Sequence, residues 1–313
     1  MHKQRTIKRE LVIEGIGLHS GEFCRIRLIP SQENTGIIFY RNGNGRNRIP
    51  LSPERVVSTK NNSALGVNGD KILTVEHLLA GLYGLGIDNL LIEVDGPEIP
   101  ILDGSAKVFV ERILEVGIEK LEAPKSFLLV KKPIRVEEGD RYATLDPSPE
   151  FRVEFVISYN HPLLRYQRRE FCFSGSCFEK EISPARTFGF LSEVENLRKQ
   201  GLAKGGSLEN VVVIGEDGVL NPEGLRFPDE PVRHKILDSL GDLMILGTHL
   251  IGEYRGYKAG HRLNHQLLCQ LLSDPANYQI VQADELVGKS KFFRIPRWLT
   301  PKKKPKEKSH LAG

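Results

Sequence analysis

Two stretches of this chain pass through the same change of periodicity. Alternating apolar and polar segments come first, and a helix bearing histidine and carboxylate side chains follows. In the first stretch, TIKRELVIEG and CRIRLIP flank the glycine-rich GIGLHSG turn. TVEHLLAGLYGLG then sets Val75, Leu78, Leu79, Leu82 and Leu85 at helical spacing, with Thr74 as the expected N-cap. In the second, LLVKKPIRVEEG, RYATLDP and RVEFVISY read as strands, and PVRHKILDSLGDLMILGTHLI reads as one long helix. Further helices are expected around AKVFVERILEVGI, SEVENLRKQ and HRLNHQLLCQLLSD, whereas residues 41 to 70 should be mostly loop or short edge strands. This order predicts an α+β fold and argues against the alternating βαβα of a doubly wound sheet. The Pro- and Lys-containing LEAPKSF link marks a boundary, giving an N-terminal domain over 1–122 and a C-terminal domain over 126–285. The halves resemble each other in layout, not residue by residue.

Composition narrows the function classes. Of 313 residues, 40% are hydrophobic and 27% charged, as in an ordinary globular protein. The net charge of +4 is misleading, because the segment from Arg297 onward carries +5 and leaves the rest at −1. A body of that charge argues against a nucleic-acid-binding fold. The basic end, 298–313, is expected to be a solvated, disordered tail, at most weakly attracted to an anionic membrane surface. No run of eighteen apolar residues is present, so no integral membrane segment is expected, and the basic amino end lacks the apolar core of a secretory signal. Cys24, Cys172, Cys177 and Cys269 form no CxxC, which suits reduced thiols in a reducing, cytoplasmic compartment.

Three patterns could carry chemistry. Glu76 and His77 are adjacent at the start of the first-half helix. His234, Asp238 and Asp242 stand at i, i+4 and i+8, on one face of the second-half helix. His261 follows Gly260 at an expected helix start. A zinc hydrolase needs three protein ligands and one open position. His77, His234 and Asp238 can supply the ligands, Glu76 a general base, His261 a proton donor, and Asp242 the carboxylate that orients its ring. The same spacings also fit a surface salt bridge and an ordinary loop histidine. HExxH is absent, and HxxEH fails at Leu73. GLAKGGS is no P-loop, GIGLHSG no dinucleotide fingerprint, and no GxSxG elbow occurs.

The segments TVEHLLAGLYGLGIDN, EIPILDGSA, ARTFGF, GLAKGGSLEN, NPEGLRFPDEPVRHKILDSLGDL and YKAGHRLN occur in this order. Together they closely resemble the UDP-3-O-acyl-N-acetylglucosamine deacetylase family, zinc amidases of bacterial lipid A synthesis, from about residue 4 to about 273. The resemblance implies two similar two-layer α/β sandwich domains packed together, with the active site at their interface and a βαβ insert over about 189–214. It implies Zn2+, with Fe2+ as the other candidate, held by His77, His234 and Asp238. It implies Glu76 as general base, His261 as general acid paired with Asp242, and Lys235 and Thr187 beside the reacting carbonyl. Phe188 would line the sugar site, and Lys258 would meet phosphate. Tyr159 and Arg141 would stand where relatives place uridine and phosphate contacts. Leu18, with Leu191, Val194, Leu197 and Leu202 of the insert, would flank a fatty-acyl passage. The expected activity is hydrolysis of a UDP-sugar acetamide by a monomer. The alternatives are a zinc hydrolase of another nucleotide-sugar amide and a non-catalytic relative; the latter would be expected to have lost one of Glu76, His77, His234, Asp238 or His261.

Overall fold

The computed structural model describes residues 2–41, 47–173 and 177–288; the expected basic tail, 298–313, lies outside them. Each half is built on a five-stranded sheet. In the first, the strands run in the order Leu11–Ile16, Phe23–Pro30, Leu90–Asp95, Ile37–Arg41 and Ile49–Pro50. In the second, the order is Ile134–Glu138, Arg141–Asp146, Glu253–Tyr257, Arg152–Ile157 and Gln167–Cys172. Both follow one plan: a hairpin, then the last strand of that sheet in chain order, then a second hairpin whose first strand runs parallel to that last strand. The shared strand-then-helix reading of the sequence is thus a shared topology, and the α+β class holds.

Alternation decides which faces are inside. In FCRIRLIP, Cys24, Ile26 and Leu28 are buried while Arg25 and Arg27 face out. Ile26 and Leu28 meet Val94 and Ile92 across the ladder. The second sheet repeats the device with Val153, Phe155 and Ile157, and the Phe155 ring covers the space that a side chain at Gly256 would need.

Helices α1 (Glu76–Leu85) and α2 (Lys107–Val116) belong to the first half. Helices α3 (Leu191–Lys199), α4 (Glu230–Met244), α5 (His261–Leu272) and α6 (Ala283–Gly288) belong to the second. α1 and α4 pack against each other across the junction of the halves. α1 is buried from Glu76 to Gly84, and in α4 only Lys235 and the residues' few exposed atoms escape burial. A helix buried on nearly every side must satisfy two neighbours, and glycine provides the clearance. A Cβ at Gly241 of α4 would lie 2.0 Å from the Glu76 carbonyl oxygen, and one at Gly84 would enter the Phe178 ring.

Two expectations change. Thr74 is not a side-chain cap: its φ of +56° turns it away, and its Oγ1 donates to Glu98 at 2.6 Å. Val75 takes the N-cap position without a side-chain bond, which leaves the helix start open toward Glu76. The long second-half helix ends at Met244, because Gly247 (φ +73°) reverses the chain and His249–Ile251 pairs with Phe127–Leu129 as a parallel strand. The LEAPKSF link is packed into the structure. Its first residues extend the strand Ile118–Pro124. Lys125 is fully buried and donates to Asp88 and to the Gly86 carbonyl. Among the described residues, no helix is long and apolar enough to cross a membrane.

The crossing predicts that Gly241→Ala lowers unfolding free energy by about 1–3 kcal/mol in urea titration. Gly218→Ala, where no atom lies within 4 Å of the added Cβ, should change it by less than about 1 kcal/mol. Equal losses would contradict a crossing limited by Gly241.

Candidate metal centre and active site

Because α1 begins at the crossing, its first two side chains project toward the face of α4 that carries His234, Asp238 and Asp242. The Nε2 atoms of His77 and His234 lie 3.6 and 3.1 Å from Asp238 Oδ1. One ligand atom from each of the three residues falls within 4.8 Å of the others. The two imidazoles meet edge to face, 5.0 Å between centroids. His234 Nδ1 lies 3.0 Å from the Ala185 carbonyl, which can only accept, so the ring hydrogen sits there and Nε2 keeps its lone pair for the centre.

Asp238 uses its other oxygen to accept from Lys235 Nζ at 2.6 Å. Burial would raise this carboxyl, but its partners His234 and Lys235 outweigh it and hold it well below the usual carboxylate range. Bonds of about 2.0–2.2 Å in tetrahedral array put donor atoms roughly 3.3 Å apart, close to the two distances found. Two imidazole nitrogens and an ionised carboxylate therefore fit a divalent cation, with room for a fourth ligand.

Glu76 stands beside this set without joining it. Its Oε2 accepts from the Ser63 amide at 3.1 Å, and its Oε1 lies 3.7 Å from His261 Nε2. Burial pushes its carboxyl up to about 8; the nearby His261 opposes the shift, while Asp242 and Asp238 add to it. His261 opens α5. Its Nδ1 meets Asp242 at 2.9 Å. Burial would lower this imidazole, but Asp242 and then Glu76 overcome it and raise the ring to about 9.

Asp242 is itself fixed by Ser63 Oγ at 2.6 Å and Asn264 Nδ2 at 2.7 Å. Asn264 in turn accepts from the Tyr254 hydroxyl at 2.6 Å. Ser63, Asn264 and Tyr254 are not identifiable as site residues from sequence. Ser63 lies in a stretch read as loop, and no spacing connects it to residues 179 positions later. One residue thus supports both Glu76, through its amide, and Asp242, through its hydroxyl.

These groups open into a cavity of about 960 Å³ that is walled by both halves. Thr187 and Phe188 face it, and the Thr187 amide is tied to the Gly104 carbonyl at 2.8 Å. Lys235 Nζ lies 5.8 Å from the Phe188 ring centroid, at the outer edge of a cation–π contact. Tyr159 packs edge-on to Phe188 and tilted against Phe190, at 5.9 and 5.4 Å. Arg141 and Lys258 line the rim beside a hairpin tip. Lys258, at φ +50°, donates to Asp140 at 2.5 Å.

The expected insert is present as a βαβ unit: strand Phe188–Phe190, α3, and strand Val212–Ile214 in parallel register. Leu18, Leu191, Val194 and Leu197 line the apolar part of the cavity. Leu202 does not. It is half-buried behind α3, where its amide closes the helix end on the Leu197 carbonyl, and Leu208, Val211, Val213 and Leu220 hold the wall instead. His19 of GIGLHSG, also passed over in sequence, lines the cavity. It is buried, and burial lowers its imidazole below the usual value.

The family model described as UDP-3-O-acyl N-acetylglycosamine deacetylase matches residues 4–273. The chain is 47% identical over 283 residues to the UDP-3-O-acyl-N-acetylglucosamine deacetylase of Myxococcus xanthus (strain DK1622), covering 90% of each chain. It is 48% identical over 279 residues to the protein of that name from Nautilia profundicola, covering 89% of this chain and 94% of the relative. For the Helicobacter pylori (strain J99) relative the identity is 44%, over 90% of this chain and 96% of the other. A match spanning most of the chain, at such identity and coverage, leads to one statement: this chain belongs to the UDP-3-O-acyl N-acetylglycosamine deacetylase family.

Proposed function

We propose that the chain hydrolyses the acetamide of UDP-3-O-[(3R)-3-hydroxyacyl]-N-acetylglucosamine to the free amine and acetate, a step of lipid A biosynthesis. The observation that carries this reading is the convergence of His77, His234 and Asp238 beside Glu76 and the His261–Asp242 pair, in a chain of this family. Zn2+ is the preferred occupant of the ligand set, since two imidazoles and a carboxylate suit it; Fe2+ is the competitor. Bound there, it supplies a Lewis acid that favours hydroxide at neutral pH and draws charge from a carbonyl.

The protein's part follows from its atoms. Glu76, steadied by the Ser63 amide, takes a proton from water at Oε1. Lys235 and Thr187 lie on the side where the acetamide oxygen gathers negative charge, and they stabilise it there. His261 carries its proton at Nε2, because Nδ1 is committed to Asp242, and gives it to the leaving amine. Phe188 and Tyr159 flank the sugar and uridine, Lys258 and Arg141 face the diphosphate, and Leu18, Val194 and Leu197 take the acyl chain. The two sheet-and-helix halves, 1–122 and 126–285, are read as the two domains that enclose the substrate.

The direct test is acetate release from the acylated UDP-sugar. The Zn2+-loaded protein should release acetate, a chelator should abolish it, and Glu76→Gln should lower kcat by about 10²-fold or more. No release from the metal-loaded protein would overturn the substrate assignment.

The pH profile tests the two proton carriers. Glu76 works only ionised and His261 only protonated, so activity rises with deprotonation of the first and falls with deprotonation of the second. The alkaline limb should lie near about 9. The acid limb should lie below about 8, since a cation in the ligand set favours the Glu76 carboxylate. Asp242→Asn removes the largest charge supporting protonated His261, and should move the alkaline limb to lower pH. An unmoved alkaline limb would remove His261 from the role of acid.

A further inference from the structure

Arg186 lies between Ala185, whose carbonyl orients His234, and Thr187, which faces the cavity, yet its own side chain points away from both. It is 1% exposed and meets Glu230, which is 0% exposed and opens α4. Arg186 Nε lies 2.9 Å from Glu230 Oε1, and Nη2 lies 3.2 Å from Oε2. The same carboxylate accepts from two backbone amides, Arg186 at 3.0 Å and Arg226 at 2.6 Å. Two more guanidinium hydrogens go to Glu223 and to the Gly224 carbonyl.

A carboxylate that receives four donors, three from Arg186 and one from the Arg226 amide, with the guanidinium making four bonds in turn, leaves the segments around it little freedom to slide. The carboxylate itself opens α4, one turn before His234, so the tie runs from 185–187 to that helix start. We propose that the Arg186–Glu230 pair is a positioning element of the active site. It fixes the Ala185 carbonyl against His234 Nδ1 and holds Thr187 at the cavity wall, so the metal ligand and the oxyanion donor are placed by one buried clamp. The inference rests on the proposed ligand role of His234 and the proposed donor role of Thr187.

The residue types carry the argument. Glu230 sits at a helix start, where negative charge is favoured. Lysine could neutralise it but could not reproduce the fork, since an ammonium is a point donor. A buried pair kept only for stability can often be replaced by uncharged groups of similar shape at little cost. A positioning pair cannot be replaced so without moving what it holds. Partners that orient a ligating histidine typically matter by about 10–100-fold in metal affinity or activity.

The experiment compares the full-length protein with Arg186→Lys and with Arg186→Met/Glu230→Gln, the latter removing both charges together. Zn2+ affinity is measured by competition with a chelating dye well below the melting temperature, and kcat and KM are measured on the acylated UDP-sugar. Both variants should bind Zn2+ about tenfold more weakly and lose about tenfold in kcat, with KM within about twofold of wild type. A folded double variant with wild-type Zn2+ affinity and kcat would overturn the proposal. If the double variant does not fold, the same criteria applied to Arg186→Lys decide. Failure of the wild-type protein to bind Zn2+ would instead overturn the ligand reading itself, and this inference with it.

Discussion

Gly241 lies against the peptide carbonyl of Glu76, at a distance that no larger residue allows. That approach brings the start of α1 onto the middle of α4, and the chemistry depends on it. The proposed base, Glu76, and one proposed metal ligand, His77, come from the first half of the chain; the other two proposed ligands, His234 and Asp238, and the proposed orienting carboxylate, Asp242, come from the second. Packing two almost fully buried helices so closely leaves their positions little freedom, because protein interiors respond to misfit by shifting whole elements. Phe178 against Gly84 and Phe109 against Gly81 hold the same helix from other sides.

Within that crossing, three buried carboxylates sit close together and are kept distinct by their partners. Asp238 has Lys235 and two imidazoles, and stays ionised. Asp242 has Ser63, Asn264 and His261, and serves the imidazole. Glu76 has a single backbone amide, and its burial, with the repulsion of the other two, raises its proton affinity. The three carboxylates thus differ in the donors and charges around them. The Arg186–Glu230 clamp extends the same logic outward, to the segment that carries the Ala185 carbonyl and Thr187.

The part of this arrangement legible in sequence was the part set by local spacing. Helical periodicity placed His234, Asp238 and Asp242 on one face, and the repeated strand-then-helix order gave the fold class. The pairing of His77 with that face is not local. It depends on a helix crossing whose signature is one glycine in SLGDL, indistinguishable by pattern from any small residue. Ser63 and Asn264 were invisible for the same reason, since their partners lie on other elements. Thr74 failed as a cap because Glu98, remote in sequence, competes for its hydroxyl. Leu202 was misplaced because an apolar residue just past a helix can close the helix end as readily as face a cavity. Resemblance to a known family supplied roles that spacing alone left open between a metal site and a salt bridge.

The central claim is that one divalent cation is shared by residues from both halves of the chain. Anomalous diffraction at the zinc edge on crystals of the Zn2+-loaded protein tests it most directly. A single peak within about 2.2 Å of His77 Nε2, His234 Nε2 and an Asp238 oxygen is the expected result. A peak held by other side chains, or no peak in this cleft at full metal loading, would contradict it.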